Sequence, residues 1–160
     1  MVADRTDEYA FETGTPSPER FTELRRRSGM TPRTVESARR GLPGTLYGVV
    51  VTVGEAPESA AGADDAHGVR KDDDTGTVVA MGRIVGDGGA VYQISDVAVD
   101  PDHQGNGLGT AIMDRLMAYI EETAPDGAYV NLIADVDGFY EQWGFEPVAP
   151  GSKGMGRYVE

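Results

Sequence analysis

The 160-residue sequence contains no cysteine and only two lysines, Lys71 and Lys153. The absence of cysteine excludes disulfides, a thiol nucleophile and thiolate ligands for a metal. No apolar stretch is long enough to span a bilayer, and the N-terminal residues MVADRTDEYAFETG are charged from the fourth residue onward. We therefore expect neither a membrane anchor nor a signal peptide, and the protein fits a cytoplasmic location.

The formal net charge of -13 argues against nucleic acid as a partner, because phosphate backbones are bound by lysine and arginine. An acidic surface is instead suited to attracting a cationic small substrate over long range. Excess aspartate and glutamate with almost no lysine resembles the composition of halophilic proteins. The alternative is an ordinary acidic protein from a GC-rich genome.

The length predicts one domain, residues 1–160, with a loose terminus at 1–8 and an acidic, mobile loop at 55–76. Ser17 before Pro18 predicts the start of one helix, and Thr31 before Pro32 that of a second. Further elements are strands at 9–13, 45–54, 77–86, 91–100 and 128–135, helices at 107–123 and 138–144, and one or two strands in 145–160. In the helix at 107–123, apolar side chains recur at spacings of three and four: Leu108, Ile112, Leu116, Tyr119 and Ile120. This order predicts an α/β domain with a mixed sheet and packed helices.

The stretch VDPDHQGNGLGT, residues 99–110, links a predicted strand to a predicted helix through a glycine-rich loop. Helix N-terminal amides lack internal acceptors, and glycines let the backbone close around an anion. The candidate phosphate ligands are Gln104, Asn106 and the amides of Gly105, Gly107, Leu108 and Gly109. No Gly-Lys-Ser/Thr follows, which excludes a P-loop, and the GxGxG spacing fits a dinucleotide fingerprint poorly. The alternative is an ordinary glycine-rich turn.

Asp96 lies in the middle of a predicted strand, on a face expected to carry Tyr92, Ile94 and Ala98. A buried aspartate must be paired, hydrogen-bonded or shifted in pKa. Asp96 is therefore a candidate general base, or a structural partner of an arginine such as Arg83.

Tyr140 lies on the predicted short helix among aromatic residues. It is either half-buried core or a proton donor, because a phenol has a pKa of about 10. His67 and His103 lack the spacing of metal ligands, so no metal site is expected.

Together, VAVDPDHQGNGLGTAIM and the later FYEQWGFEP resemble the GCN5-related N-acetyltransferases (GNAT), which transfer an acetyl group from acetyl-CoA to an amine. Gln104-x-x-Gly107-x-Gly109 matches the pyrophosphate loop of that family. Phe139-Tyr140 followed by Gly144-Phe145 matches its late motif. The resemblance implies the GNAT fold, a mixed and mostly antiparallel central sheet flanked by helices on both faces.

The resemblance also implies roles for individual residues. Tyr140 would be the general acid for the departing thiolate, and Asp96 remains the candidate base. The residues expected to bind the acetyl-CoA cosubstrate are Val97, Ala98, Val99, Gln104, Gly105, Asn106, Gly107, Leu108, Gly109, Thr110, Asn131 and Asp135. No metal is expected.

Within the family, the sequence is most similar to small single-domain members that include plant plastid serotonin N-acetyltransferases. This favours a small-molecule primary amine as acceptor, acetylated by direct attack because no cysteine can form an acetyl-enzyme. The alternatives are a protein N-terminus or lysine as acceptor, or a non-catalytic acyl-CoA-binding regulatory module. Strands in the C-terminal tail would also allow a homodimer by pairing across subunits.

Overall fold

The computed structural model describes residues 8–54 and 76–160. The predicted loose terminus up to residue 7 and the predicted acidic loop over 55–75, with His67, lie outside the described residues. The strands are β1 (Tyr9–Thr13), β2 (Tyr47–Val53), β3 (Thr77–Gly86), β4 (Val91–Val99) and β5 (Tyr129–Asn131). The α-helices are α1 (Pro18–Arg27), α2 (Val35–Gly41) and α3 (Leu108–Thr123), and the 3-10 turns are Leu42–Gly44, Pro101–His103 and Tyr140–Trp143.

The strands form one sheet in sequence order, from β1 to β5. The first four pair antiparallel, whereas β5 pairs parallel to β4 after the crossover through α3. The mixed, mostly antiparallel sheet of the sequence analysis is thereby confirmed.

Helices cover both faces of this sheet. On one face, α3 buries the side chains of Leu108, Ile112, Leu116 and Ile120 against the β strands. Each fully buried Leu or Ile contributes about 1.5–3 kcal/mol, so the predicted apolar face of α3 is what attaches it to the sheet. On the other face, α1 and α2 form a second cluster with buried sheet residues; its members include Phe21, Leu24, Ala38, Val50 and Ala98.

A bulge interrupts β4 next to Asp96. Met81 of β3 lies opposite Ala98 and Arg83 lies opposite Ser95, so β4 holds one residue more than β3 in this interval. Asp96 takes up the extra residue with a positive φ of 58°, a conformation that aspartate tolerates better than most residues.

The bulge changes which helical layer each half of β4 faces. Tyr92 and Ile94 belong to the cluster with α3, whereas Ala98 belongs to the cluster with α1 and α2. The prediction that these three side chains share a face with Asp96 was therefore wrong, because strict alternation ends at the inserted residue.

Several predicted boundaries and elements also differ. Ser17 does cap α1, its Oγ accepting from the Arg20 amide at 3.1 Å, but α2 is capped by Thr34, which accepts from the Ser37 amide, rather than by Thr31. The last strand stops at Asn131, and residues 145–160 form no strand. The predicted tail strands, on which the homodimer idea rested, are therefore absent from this structure.

No helix in residues 8–54 and 76–160 has the length and apolar character needed to cross a membrane.

Candidate active site

A cleft opens where β4 and β5 stop pairing. The last paired residues are Gln93 and Asn131. The side-chain amide of Gln93 donates to Asn131 Oδ1 at 3.1 Å, and the side-chain amide of Asn131 donates to the Tyr92 carbonyl at 3.4 Å. Asn131 therefore fixes the point of divergence and does not line the cleft itself.

Beyond that point the strands diverge around a cleft of about 710 Å³. Its lining includes Ser95, Asp96 and Val97 from β4, Leu132 and Asp135 from the chain after β5, Tyr140, and tail residues such as Tyr158. The structure thus brings four of the predicted site residues together, namely Asp96, Val97, Asp135 and Tyr140. Among the described residues, no strand pairs with β4 on this side past Gln93, so the edge of the sheet faces the cleft.

The glycine loop forms the N-terminus of α3. Gly107 caps the helix with a φ of +76°, a conformation that side chains other than glycine rarely adopt. The first bond into the helix is Ala111 N–H to Gly107 O at 3.0 Å. Within the described part of the chain, the amides of Leu108, Gly109 and Thr110 precede that bond and have no protein acceptor. They are available to an anion.

The two amide side chains of the loop already have protein hydrogen-bond partners. Gln104 donates to the Val99 carbonyl at 3.1 Å. Asn106 donates to the His103 carbonyl at 2.9 Å and to the Tyr9 hydroxyl at 3.3 Å, and that hydroxyl lies 3.0 Å from His103 Nδ1. These side chains and His103 therefore brace the loop, and any anion would be bound by the backbone.

β4 connects the cleft to this loop. Val97 lines the cleft, and Val99, two residues further along β4, approaches Gly109 of the loop. A Cβ atom built on Gly109 would lie 4.0 Å from the Val99 side chain and 3.6 Å from the Phe139 ring. Leu108 is buried in the core, so only its amide can take part in binding. Ala98 is also buried, on the opposite face, so a ligand lying along β4 would meet only its backbone.

Tyr140 is held beside the cleft by its aromatic neighbours. Trp143 Nε1 donates to Asp114 of α3 at 2.8 Å, and the Phe139 ring packs edge-on against both Tyr140 and Trp143. Burial, and to a lesser extent the Asp135 charge, raise the pKa of the Tyr140 phenol above its ordinary value. The phenol is therefore protonated at neutral pH, as a proton donor must be.

Asp96 is paired with two arginines. One oxygen accepts from Arg25 Nη1, and the other accepts from Arg83 Nε at 2.6 Å. Asp96 and Arg25 are 7% and 4% exposed, so neither charge is screened by bulk water. Burial lowers the pKa of the Arg25 guanidinium, and the Asp96 carboxylate opposes that shift. The structural pairing with Arg83 is thus observed, with a second arginine that the sequence did not reveal.

Asp100 is a positioning residue that the sequence analysis missed. Its carboxylate accepts from Arg27 and from the Asp102 amide, and these bonds lower its pKa to about 2. It therefore fixes the chain where β4 passes into the glycine loop. The sequence contained a signal for this role, because aspartate before Pro-Asp is typical of a side chain that caps a turn.

No group of His, Asp or Glu suited to a metal occurs among the residues that the structure describes.

Comparison with known proteins places this arrangement in a family. The family model described as an acetyltransferase (GNAT) domain matches residues 64–147. The chain is 32% identical over 113 residues to GCN5-related N-acetyltransferase 2, chloroplastic, from Arabidopsis thaliana, covering 69% of this chain and 41% of that protein. It is 31% identical over 138 residues to serotonin N-acetyltransferase 2, chloroplastic, from Oryza sativa subsp. japonica, covering 86% and 60%. The chain thus spans less than two thirds of each of these relatives.

Two solved structures give the same result for the fold. A probable acetyltransferase of unknown function from meticillin-resistant Staphylococcus aureus superposes with a TM-score of 0.74 and 34% identity, over 95% of this chain and 98% of that one. A Mycobacterium tuberculosis protein solved in complex with CoA superposes with a TM-score of 0.52 and 19% identity, over 80% and 65%. From the diverging strands, the glycine loop and these matches, it follows that the chain belongs to the GNAT family.

Proposed function

We propose that this protein is an acetyl-CoA-dependent N-acetyltransferase that acetylates the primary amine of a small molecule. The observation that carries the proposal is the pairing of two features on one path along β4. The cleft at residues 95–97 contains a protonated phenol, and the same strand leads to free amides at the N-terminus of α3.

The residues present suit acetyl-CoA. The amides of Leu108, Gly109 and Thr110, at the positive end of the α3 dipole, fit a pyrophosphate. Residues 97 and 98, at the edge of β4 that pairs with no described strand, offer backbone groups to an extended arm. When bound, the thioester supplies an activated acetyl group, and Tyr140 is suited to protonate the departing sulfur.

Direct attack by the amine is the expected chemistry, because the sequence contains no cysteine to carry the acetyl group. An alkylamine with a pKa near 10 is free base in about one molecule in a thousand at neutral pH, a cost of roughly 4 kcal/mol. Holding both reactants in one cleft lowers the barrier through proximity.

The test is calorimetric titration with acetyl-CoA in low and in molar KCl, followed by release of free thiol in the presence of primary amines. Saturable binding and amine-dependent thiol release are expected. A folded protein that binds acetyl-CoA in neither buffer would refute the proposal. Binding without thiol release from any amine, peptide or protein would identify a non-catalytic acyl-CoA-binding module instead.

A further inference from the structure

A second, smaller cavity adjoins the cleft. Its volume is about 300 Å³, and α1, α2 and the residues before α2 form one side of it. The two cavities have five lining residues in common, namely Arg25, Arg33, Gln93, Ser95 and Asp96. The two cavities therefore lie side by side, on either side of these shared residues.

The smaller cavity is positively charged. Three arginines line it, Arg25, Arg33 and Arg83, and Asp96 is the one carboxylate that the described residues contribute. This excess of positive charge occurs in a chain whose formal net charge is -13. The charge of this cavity is therefore opposite to the net charge of the whole protein. The negative net charge had predicted attraction of a cationic substrate.

Part of the guanidinium hydrogen-bonding capacity in this cavity is unused. Arg83 donates through Nε to Asp96 and through Nη1 to Thr45 Oγ1 at 3.1 Å. Its Nη2 has no acceptor among the described residues. Arg33 forms no ion pair with any carboxylate in residues 8–54 and 76–160. Arg33 Nη1 donates to the Pro32 carbonyl at 3.1 Å, and the guanidinium lies 5.7 Å from the centre of the Tyr158 ring. Hydrogen bonds with Thr31 and Arg33 lower the pKa of the Tyr158 phenol.

We infer that the acceptor amine also carries a compact oxyanion, a carboxylate or a phosphate, which binds in the smaller cavity while the amine reaches the cleft at residues 95–97. The inference deepens the proposed function and rests on it. Arginine suits this role because its planar guanidinium donates two parallel hydrogen bonds to such a group. Arg33, which has no carboxylate partner, is the residue expected to select the oxyanion.

The positive charge of the arginines that line the smaller cavity also assists the reaction. Nearby cations disfavour a protonated amine, so they lower its pKa and increase the fraction of free base. The ammonium loses its proton to solvent, and the nitrogen lone pair attacks the acetyl carbonyl. A C–N bond forms, the C–S bond breaks, and the CoA thiolate leaves and takes a proton from Tyr140. The attacking nitrogen still carries two protons, and it gives one of them through solvent to the Tyr140 phenolate, which restores the phenol. Neither a further reactant nor an oxidant is needed.

The experiment measures acceptor binding by calorimetry with CoA already bound, so that it does not depend on turnover. The probes are ω-amino carboxylates and aminoalkyl phosphates of increasing chain length, each compared with the alkylamine of the same length that lacks the oxyanion. Because salt screens charges, the series is run at the lowest KCl concentration at which the protein remains folded. The anionic member of the best pair should bind at least about tenfold more tightly, as expected for a charge-assisted hydrogen bond.

Arg33→Ala should abolish this preference and leave the affinity for acetyl-CoA unchanged. Arg40→Ala is the matched control, because Arg40 is exposed on α2 and lines neither cavity. Comparing the two series identifies carboxylate or phosphate as the preferred group. Equal binding of amines with and without the oxyanion, no binding of any amine that carries one, or an unchanged preference in Arg33→Ala would each overturn the inference. The proposed function would survive these results if acetyl-CoA binds and plain alkylamines are acetylated, and it would fail separately if acetyl-CoA does not bind.

Discussion

The guanidinium of Arg27 donates to both carboxylate oxygens of Asp100, with Nε–Oδ2 at 2.7 Å and Nη2–Oδ1 at 2.8 Å. This ion pair joins the last residue of α1 to the residue that follows β4. Asp100 also donates its own amide to the Val79 carbonyl at 2.8 Å. The entrance to the glycine loop is therefore fixed to both the helical layer and the sheet.

Asp100→Asn should destabilise the protein at neutral pH. The pKa of Asp100 falls from 3.8 to about 2 on folding, which corresponds to about 2 kcal/mol. Because the folded pKa is the lower one, this stability is present above about pH 4 and is lost as the pH falls to about 2. Urea unfolding at a series of pH values measures it. Asp126→Asn, at an exposed position, is the control, and identical pH dependence in both variants would contradict the prediction.

Gly107→Val should abolish binding of acetyl-CoA, because a side chain there would stand beside the free amides and disfavour the φ of +76°. Gly127→Val is a matched control, since Gly127 has a φ of +84°, also has open space around it, and lies outside the loop. Both variants should lose roughly 1–2 kcal/mol of stability. Calorimetric titration should detect lost binding only at position 107. Wild-type affinity in Gly107→Val would show that the loop is an ordinary turn.

Tyr140→Phe should lower kcat by about a hundredfold, the lower end of the range for a general acid, and leave the affinity for acetyl-CoA within a few-fold of wild type. Since burial raises the pKa of the phenol in the folded protein, the alkaline decline in kcat that it causes should lie at a higher pH than an ordinary phenol would give. Thiol-release kinetics measure both effects. Tyr119→Phe is the control, because that ring stacks on Tyr47 and does not line the cleft. Equal turnover in Tyr140→Phe would remove the phenol from the mechanism.

Asp96→Asn should cost about 3–5 kcal/mol, because it leaves the buried Arg25 and its partner Arg83 without a counter-charge. Asparagine also tolerates positive φ, so the bulge itself is preserved. Glu23→Gln, which breaks the exposed pair with Arg26, should cost no more than about 1 kcal/mol. Denaturant unfolding gives the comparison, and similar costs would refute the structural role.

The same Asp96→Asn variant tests the predicted base. If Asp96 accepts the proton of the amine, the acidic limb of the kcat/KM profile should disappear with the carboxylate. If its role is to hold the arginines, the limb should persist while the melting temperature falls.

The predicted halophilic character concerns the surface charge. With a formal net charge of -13, self-repulsion opposes the compact state, and salt screens that repulsion. The melting temperature should therefore rise with KCl up to molar concentration. A flat response would leave an ordinary acidic protein.

Local signals made much of this fold predictable. The spacing of apolar residues in α3 and the Ser17 cap each depend on residues close in sequence. The glycine loop was predictable for the same reason, because several glycines at one helix N-terminus restrict what the backbone can do. Tyr140 followed from the motif around it.

Long-range pairings were not predictable in this way. The Arg25–Asp96 ion pair joins residues 71 positions apart, and nothing in either neighbourhood identifies the other. The bulge at Asp96 was missed because alternation along a strand contains no information about an inserted residue. The length of β5 was overestimated, because its apolar residues continue past the point where pairing with β4 stops.

The bulge in β4 has a consequence for how the protein unfolds. One strand contributes Tyr92 and Ile94 to the core under α3, and Ala98 to the core under α1 and α2. Opening either core exposes side chains of β4, and β4 also supplies side chains to the other core. Hydrogen exchange should therefore find the two helical layers opening as one cooperative unit, with a single free energy and not two.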